Sequence, residues 1–276
     1  MAQTTVVTGA NAGIGKAIAR QLAALGHHVV LVSRDASRGR EAMEEIRAAV
    51  AHASIDLVVG DLATTASTHD LADRLLEQYS RIDVLINNAG VWMTRRQLNA
   101  EGVEMTFMVN HLAPFILCTR LLACLKDSAP ARIVNVNSGL YSKGEANLEK
   151  LPTGIGFQAF KTYMHSKLCN ALFSVELARR IEGTGVTVNA LHPGVIRTGL
   201  GDSPGIIGML LSFAKRFWGT PEAGAAPVVH LATSPDLEGI SGKYFDVFKE
   251  VALDPKALDA AKAAELWELS ARLTAR

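Results

Sequence analysis

The chain has 276 residues, 28 of them basic and 27 acidic, and 49% are hydrophobic. That is ample material for one large core, and the near-zero net charge argues against a nucleic-acid or polyanion partner. The three cysteines, Cys118, Cys124 and Cys169, are odd in number and lack metal-ligand spacing. They predict reduced, buried thiols in a cytoplasmic protein, and no metal centre.

Met1-Ala2-Gln3 leads straight into an apolar strand, Thr4 to Thr8, without the basic and long apolar regions of a secretion signal. A glycine loop follows, Thr8-Gly9-Ala10-Asn11-Ala12-Gly13-Ile14-Gly15, and opens an amphipathic stretch from Lys16 to Leu25. Val29 to Val32 reads as a second strand, with an amphipathic stretch from Arg38 to Val50 after it. Ile55 to Val59, Val84 to Ile86, Ile133-Val134, Val186 to Leu191 and Lys243 to Val247 complete a set of about seven strands. Such nearly continuous β-branched runs suit strands buried on both faces, alternating with helices such as Leu71 to Tyr79. The pattern predicts an α/β chain with one doubly wound parallel sheet flanked by helices, in a single domain. The histidines His27, His28 and His52 sit just ahead of strands and are expected in surface loops.

Glycines between a strand and a helix let backbone approach a pyrophosphate, and the helix start offers free N–H groups and a positive dipole end. That context makes Gly9, Gly13 and Gly15 a candidate dinucleotide site on a Rossmann fold. Cofactor choice follows from the end of the second strand, where a carboxylate would bind a ribose 2′-OH. Here Ser33 and Arg34 stand instead, with Arg38 in reach, and a guanidinium suits a 2′-phosphate, so NADP(H) is expected. Asp35 reads as a turn or helix cap.

Downstream, Tyr163-Met164-His165-Ser166-Lys167 opens a long helix whose apolar residues recur from Leu168 to Ala178. Four residues apart, the phenol and the ammonium share a helix face. The lysine charge should favour the ionised phenol and make Tyr163 a usable acid or base. Beside a dinucleotide, that pair predicts hydride transfer to or from a carbonyl or alcohol.

These motifs resemble the short-chain dehydrogenase/reductase family over almost the whole chain. The resemblance assigns Gly9, Asn11, Gly13, Ile14 and Gly15 to the nucleotide loop, and Asp61-Leu62 to an adenine contact. Asn88-Ala89-Gly90 belongs to its Asn-Asn-Ala-Gly motif, and Pro193, Gly194, Val195 and Thr198 to the loop holding the nicotinamide amide. Tyr163 and Lys167 would also contact the cofactor. In the implied chemistry Tyr163 is the general acid or base, Lys167 lowers its pKa and bonds the nicotinamide ribose, Ser138 orients the substrate oxygen, and Asn110 supports a water relay to solvent. Asn137 departs from the pattern, which has a second serine there. Within the family, Ser166 to Asn170, Gly242 to Phe245 and an insertion from Tyr141 to Phe160 resemble the retinol dehydrogenase (retinal reductase) group.

Ile206 to Trp218 is rich in large apolar residues, including Phe213 and Phe217. It suggests a substrate lid around 199–220 and a lipophilic carbonyl or alcohol as substrate, with Trp92, Met93 and Tyr141 as further pocket residues. An oligomer contact or a shallow membrane-surface contact through Lys215 and Arg216 stays open for the same stretch. It is too short to span a bilayer. Family members that build dimers or tetramers on the tyrosine helix leave a homodimer or homotetramer open. Two other readings of the site remain: a C=C reductase of the protochlorophyllide type, and a non-catalytic NADP(H)-binding sensor.

Overall fold

The computed structural model describes residues 2–195 and 219–275. Its strands are β1 (Thr4–Thr8), β2 (His28–Ser33), β3 (Ile55–Val59), β4 (Val84–Asn87), β5 (Ala131–Val136), β6 (Val186–His192), β7 (Tyr244–Asp246) and β8 (Lys249–Val251). They form one sheet in the order β3-β2-β1-β4-β5-β6-β7-β8. All neighbours pair in parallel except β7 and β8, which are antiparallel. The eighth strand exceeds the expected seven. It returns from β7 through Val247, whose φ of 56° makes a tight reversal that a three-residue strand with two charged residues, Lys249 and Glu250, did not announce.

The helices are α1 (Gly13–Ala24), α2 (Ala36–Ala49), α3 (Thr65–Gln78), α4 (Met105–Phe107), α5 (Ala113–Arg120), α6 (Leu122–Asp127), α7 (Ala159–Arg180), α8 (Pro221–Thr233) and α9 (Ala260–Leu273). A π turn, Met108–Leu112, joins α4 to α5. Alternate strand residues feed two cores. Val6, Val30, Leu85, Ile133 and Val188 face one side with Phe107, Ile116, Leu172 and Leu266. Val7, Leu31, Ile86, Val134 and Leu191 face the other with Ile18, Ile46 and Val228. Because both faces are covered, the strands need apolar residues at nearly every position.

Asp35 caps α2, its Oδ1 accepting from the backbone N–H groups of Ser37 and Arg38 at 2.9 and 3.1 Å, as its place in the sequence suggested. His27 lies in the loop ahead of β2, as expected, but not at the surface. It is buried, and its Nδ1 lies 2.9 Å from Thr5 Oγ1. All three cysteines are free and buried. No helix among the described residues is long and apolar enough to cross a membrane.

The strand order reverses direction between β1 and β4, so their carboxyl ends leave a crevice where α/β sheets place ligands. The loops after β1, β4, β5 and β6 all open there.

Candidate active site

The nucleotide loop begins where Gly9 adopts φ +67° and Gly13 φ +54°, both in the left-handed region. A Cβ on Gly15 would run into the Gly9 carbonyl oxygen and stand 2.5 Å from Asn88 Nδ2, so the β1 backbone and the Asn88 side chain pack directly against the start of α1. A Cβ on Gly13 would meet nothing within 4 Å. Ala12 precedes α1 without a side-chain cap, which leaves the helix N–H groups for an outside acceptor. An open glycine cradle at an uncapped helix start fits a dinucleotide pyrophosphate. Asn11 and Ile14 are half-buried beside it.

Thr8 ties this loop to the next one. Its hydroxyl accepts from the N–H groups of Asn88 and Ala89, each at 3.0 Å, while Asn88 Nδ2 donates to the Thr8 carbonyl at 2.8 Å. That hydroxyl was not singled out in the sequence, because a threonine ending a strand is unremarkable until the partner loop is in place. Ser33 is buried, its hydroxyl donating to the Asp35 carbonyl at 2.9 Å, whereas Arg34 and Arg38 are exposed. Asp61 is exposed and accepts from the Ala63 N–H, and Leu62 is buried. Pro193 and Gly194, the latter at φ +93°, follow β6, and Val195 is exposed. Thr198 and most of the expected lid, including Phe213 and Phe217, lie outside the described residues.

Ser138, Tyr163, Lys167 and Asn110 come together from separate elements. Ser138 follows β5, is buried, and hydrogen-bonds the Tyr163 phenol. Lys167 is buried, its Nζ donating to the Val136 carbonyl at 3.1 Å and lying 5.7 Å from the centre of the Tyr163 ring. A Cβ on Gly90 would stand 3.4 Å from Asn110 Oδ1 and 3.8 Å from Lys167 Nζ, so the glycine backbone lies close to both buried side chains. Asn110 sits in the π turn, a distortion often found where a helix serves a site. Its Oδ1 accepts from Val91 N–H at 2.8 Å, and its Nδ2 donates to the Val91 carbonyl and to Ser166 Oγ, each at 3.0 Å. Ser166 in turn donates to the Tyr163 carbonyl at 2.7 Å.

Burial controls the electrostatics. It raises the Tyr163 phenol above its ordinary value, and the Ser138 hydrogen bond opposes that rise. It lowers Lys167 to about 8. Burial is the larger influence on the phenol, ahead of its hydrogen bond to Ser138. The phenol is held protonated at neutral pH.

Two neighbours stand out that motif reading undervalued. Asn137, the departure from the usual serine, donates from Nδ2 to the Lys167 carbonyl at 3.2 Å and accepts from Ser138 N–H at 2.9 Å. Trp92 stacks on Tyr163 with ring centroids 5.6 Å apart and planes at 27°, and Phe160 flanks it at 5.7 Å. Tyr141, by contrast, is turned into the core, where its hydroxyl accepts from Asp254 N–H at 2.9 Å and its ring meets Tyr244. His165 stays at the edge, its Nδ1 accepting from Glu145 N–H.

Comparison with known proteins agrees with this geometry. Residues 3–204 match the family profile described as short chain dehydrogenase. The chain is 44% identical to retinol dehydrogenase 14 of Mus musculus over 97% of this chain and 84% of that protein. It is similar to the crystal structure of an uncharacterized protein from Mycobacterium paratuberculosis, with a TM-score of 0.80 and 30% identity over 99% of this chain and 93% of that one. A short chain dehydrogenase from Burkholderia cenocepacia, solved in complex with NADP, has a TM-score of 0.70 and 25% identity, covering 88% of this chain and 95% of its own.

Proposed function

The chain belongs to the short-chain dehydrogenase family, and from that premise we propose that it is an NADP(H)-dependent reductase. Its substrate is an apolar aldehyde or ketone, reduced reversibly to the alcohol. The observation that carries this reading is the meeting of Ser138, Tyr163 and Lys167 beside the glycine cradle, with the phenol held protonated. The retinol dehydrogenase relative and the aromatic surface of Trp92 and Phe160 support a lipophilic substrate.

Gly9, Asn11, Gly13, Ile14 and Gly15 would hold the pyrophosphate, with Asp61-Leu62 and Asn88-Ala89-Gly90 along the adenine and ribose side. Ser33, Arg34 and Arg38 would take the 2′-phosphate, and Pro193, Gly194, Val195 and Thr198 the carboxamide. When bound, the nicotinamide supplies or accepts the hydride. As negative charge builds on the substrate oxygen, Tyr163 gives up its phenolic proton to it, while the Ser138 hydroxyl orients and stabilises that oxygen. The buried Lys167 ammonium stabilises the phenolate left behind, and Asn110 keeps the helix turn that would guide a replacement proton from solvent.

Replacing Tyr163 by Phe tests the reading. NADPH consumption with a panel of apolar carbonyls should fall by at least about a hundredfold, while NADPH still binds. Turnover that survives the change refutes the mechanism. Binding of NADPH with no turnover by the unaltered protein would favour the sensor, and turnover only under illumination with a pigment would favour the C=C reductase.

A further inference from the structure

The last described helix, α9, lies far from the glycine loop in sequence and outside the matched family segment. It packs along α5 and α7 through Trp267, whose ring lies 4.9 Å from Phe115 and 6.0 Å from Phe173, with the Arg180 guanidinium 4.1 Å from its centre. One turn further on, the fully buried Ser270 hydroxyl lies 2.8 Å from Nε2 of the fully buried His111. Ser270 also donates its own proton to the Leu266 carbonyl at 2.7 Å. With that proton committed, the hydroxyl oxygen accepts, so His111 carries its hydrogen on Nε2 and leaves Nδ1 as a buried lone pair without a partner among the described residues. Burial lowers the His111 pKa to about 3, so the ring stays neutral in this tautomer.

His111 is the residue after Asn110, within the same π turn. Its ring is held between Phe107 at 5.1 Å and Phe173 at 5.9 Å, but apolar contacts alone leave it free to slide along the core. The hydrogen bond to Ser270 is directional and removes that freedom. A π turn holds one more residue than an α-helix would, and reverting it would rotate Asn110 away from Val91 and Ser166. A second buried contact from the same end of the chain, His69 Nε2 to the Thr274 carbonyl at 2.8 Å, keeps the helix from drifting.

We propose that Ser270 is a positioning residue: through His111 it holds the π turn in the register that clamps Asn110 between Val91 and Ser166. The catalytic consequence rests on the dehydrogenase reading above; the structural consequence does not.

The test uses the full chain with Ser270→Ala, and with His111→Phe as a second variant that keeps a ring between Phe107 and Phe173. The Val91 N–H, bonded to Asn110 Oδ1, reports the clamp directly by hydrogen exchange, whether or not a substrate has been found. Both variants should speed its exchange about tenfold, with β1 and α1 unchanged. Trp267→Leu, which loosens α9 but leaves the hydroxyl, should not do so. In turnover, Ser270→Ala should lower kcat several-fold in the native background and have no further effect once Asn110 is replaced by Ala, because the residue it positions is gone. Unchanged Val91 exchange, an equal effect from Trp267→Leu, or losses that simply multiply with Asn110→Ala would each overturn the proposal. Should Tyr163→Phe stay active, the dehydrogenase reading fails, while the exchange result still decides the role of Ser270.

Discussion

The side-chain amide of Asn137 bridges β5 and α7, donating to the Lys167 carbonyl at 3.2 Å while its oxygen accepts from the Ser138 backbone at 2.9 Å. One side chain thus sets the distance between Ser138 and the helix that carries Tyr163 and Lys167. A serine at this position is too short to make both bonds. Asn137→Ser should destabilise the fold by about 1–3 kcal/mol, since it leaves a buried acceptor or donor unpaired. It should also lower kcat more than it raises KM for NADPH. Thermal unfolding and steady-state kinetics of the variant check both, and an unchanged Tm would remove the bridge from the account.

Trp92 is expected to act on the substrate side alone. Losing its stacked contact with Tyr163 should forfeit about 0.5–1.5 kcal/mol. Trp92→Leu should therefore lower kcat/KM for an apolar carbonyl by up to roughly tenfold, with Trp92→Phe intermediate and NADPH affinity unaltered. A variant that weakened NADPH binding instead would place the indole on the cofactor side.

The expected pH profile follows from burial of the two groups proposed to be catalytic. Tyr163 is raised, so its phenol stays protonated across the neutral range. Lys167 is lowered to about 8, so its ammonium persists below that pH and is lost as pH rises through it. For carbonyl reduction, kcat/KM for NADPH, which reports the free enzyme, should be level at neutral pH and then decline above about 8. Lys167→Arg keeps its charge throughout the range and should flatten that decline while lowering the plateau. A native profile still level well above that pH would show that the lysine charge is not needed.

Preference for NADPH over NADH is expected to reside in Arg34. Its exposed guanidinium stands just past β2, with Asp35 committed to capping α2. Arg34→Ala should weaken NADPH binding by roughly tenfold or more, the worth of a charge-assisted contact, and leave NADH nearly untouched. Equal losses for both nucleotides, measured by titration, would move the discrimination elsewhere.

Much of this was legible from residue order. The strands β1 to β6 announce themselves because burial on both faces favours short, largely apolar runs rich in β-branched residues, and the alternation with helices then points to the parallel sheet. Asp35 was legible as a cap because the physics is local, spanning three residues. What escaped was tertiary. Thr8, Asn137 and Ser270 act through partners dozens or hundreds of residues away, and nothing in their neighbours marks them. The π turn left no periodic trace, since its register is held by Val91, Ser166 and Ser270 rather than by local propensity. Tyr141 was misplaced for the same reason: its aromatic character suits a pocket, but an N–H donor at Asp254 draws it into the core.

The position of α9 also orders events in time. Every other described element is synthesised before it, so the ribosome delivers β1 to β8 and α7 while Phe115 and Phe173 still lack Trp267. During that interval an aromatic face stays open to chaperones and to other nascent chains. The turn carrying Asn110 also waits for a partner that is translated well after it, so the nucleotide loop is complete before that turn is held.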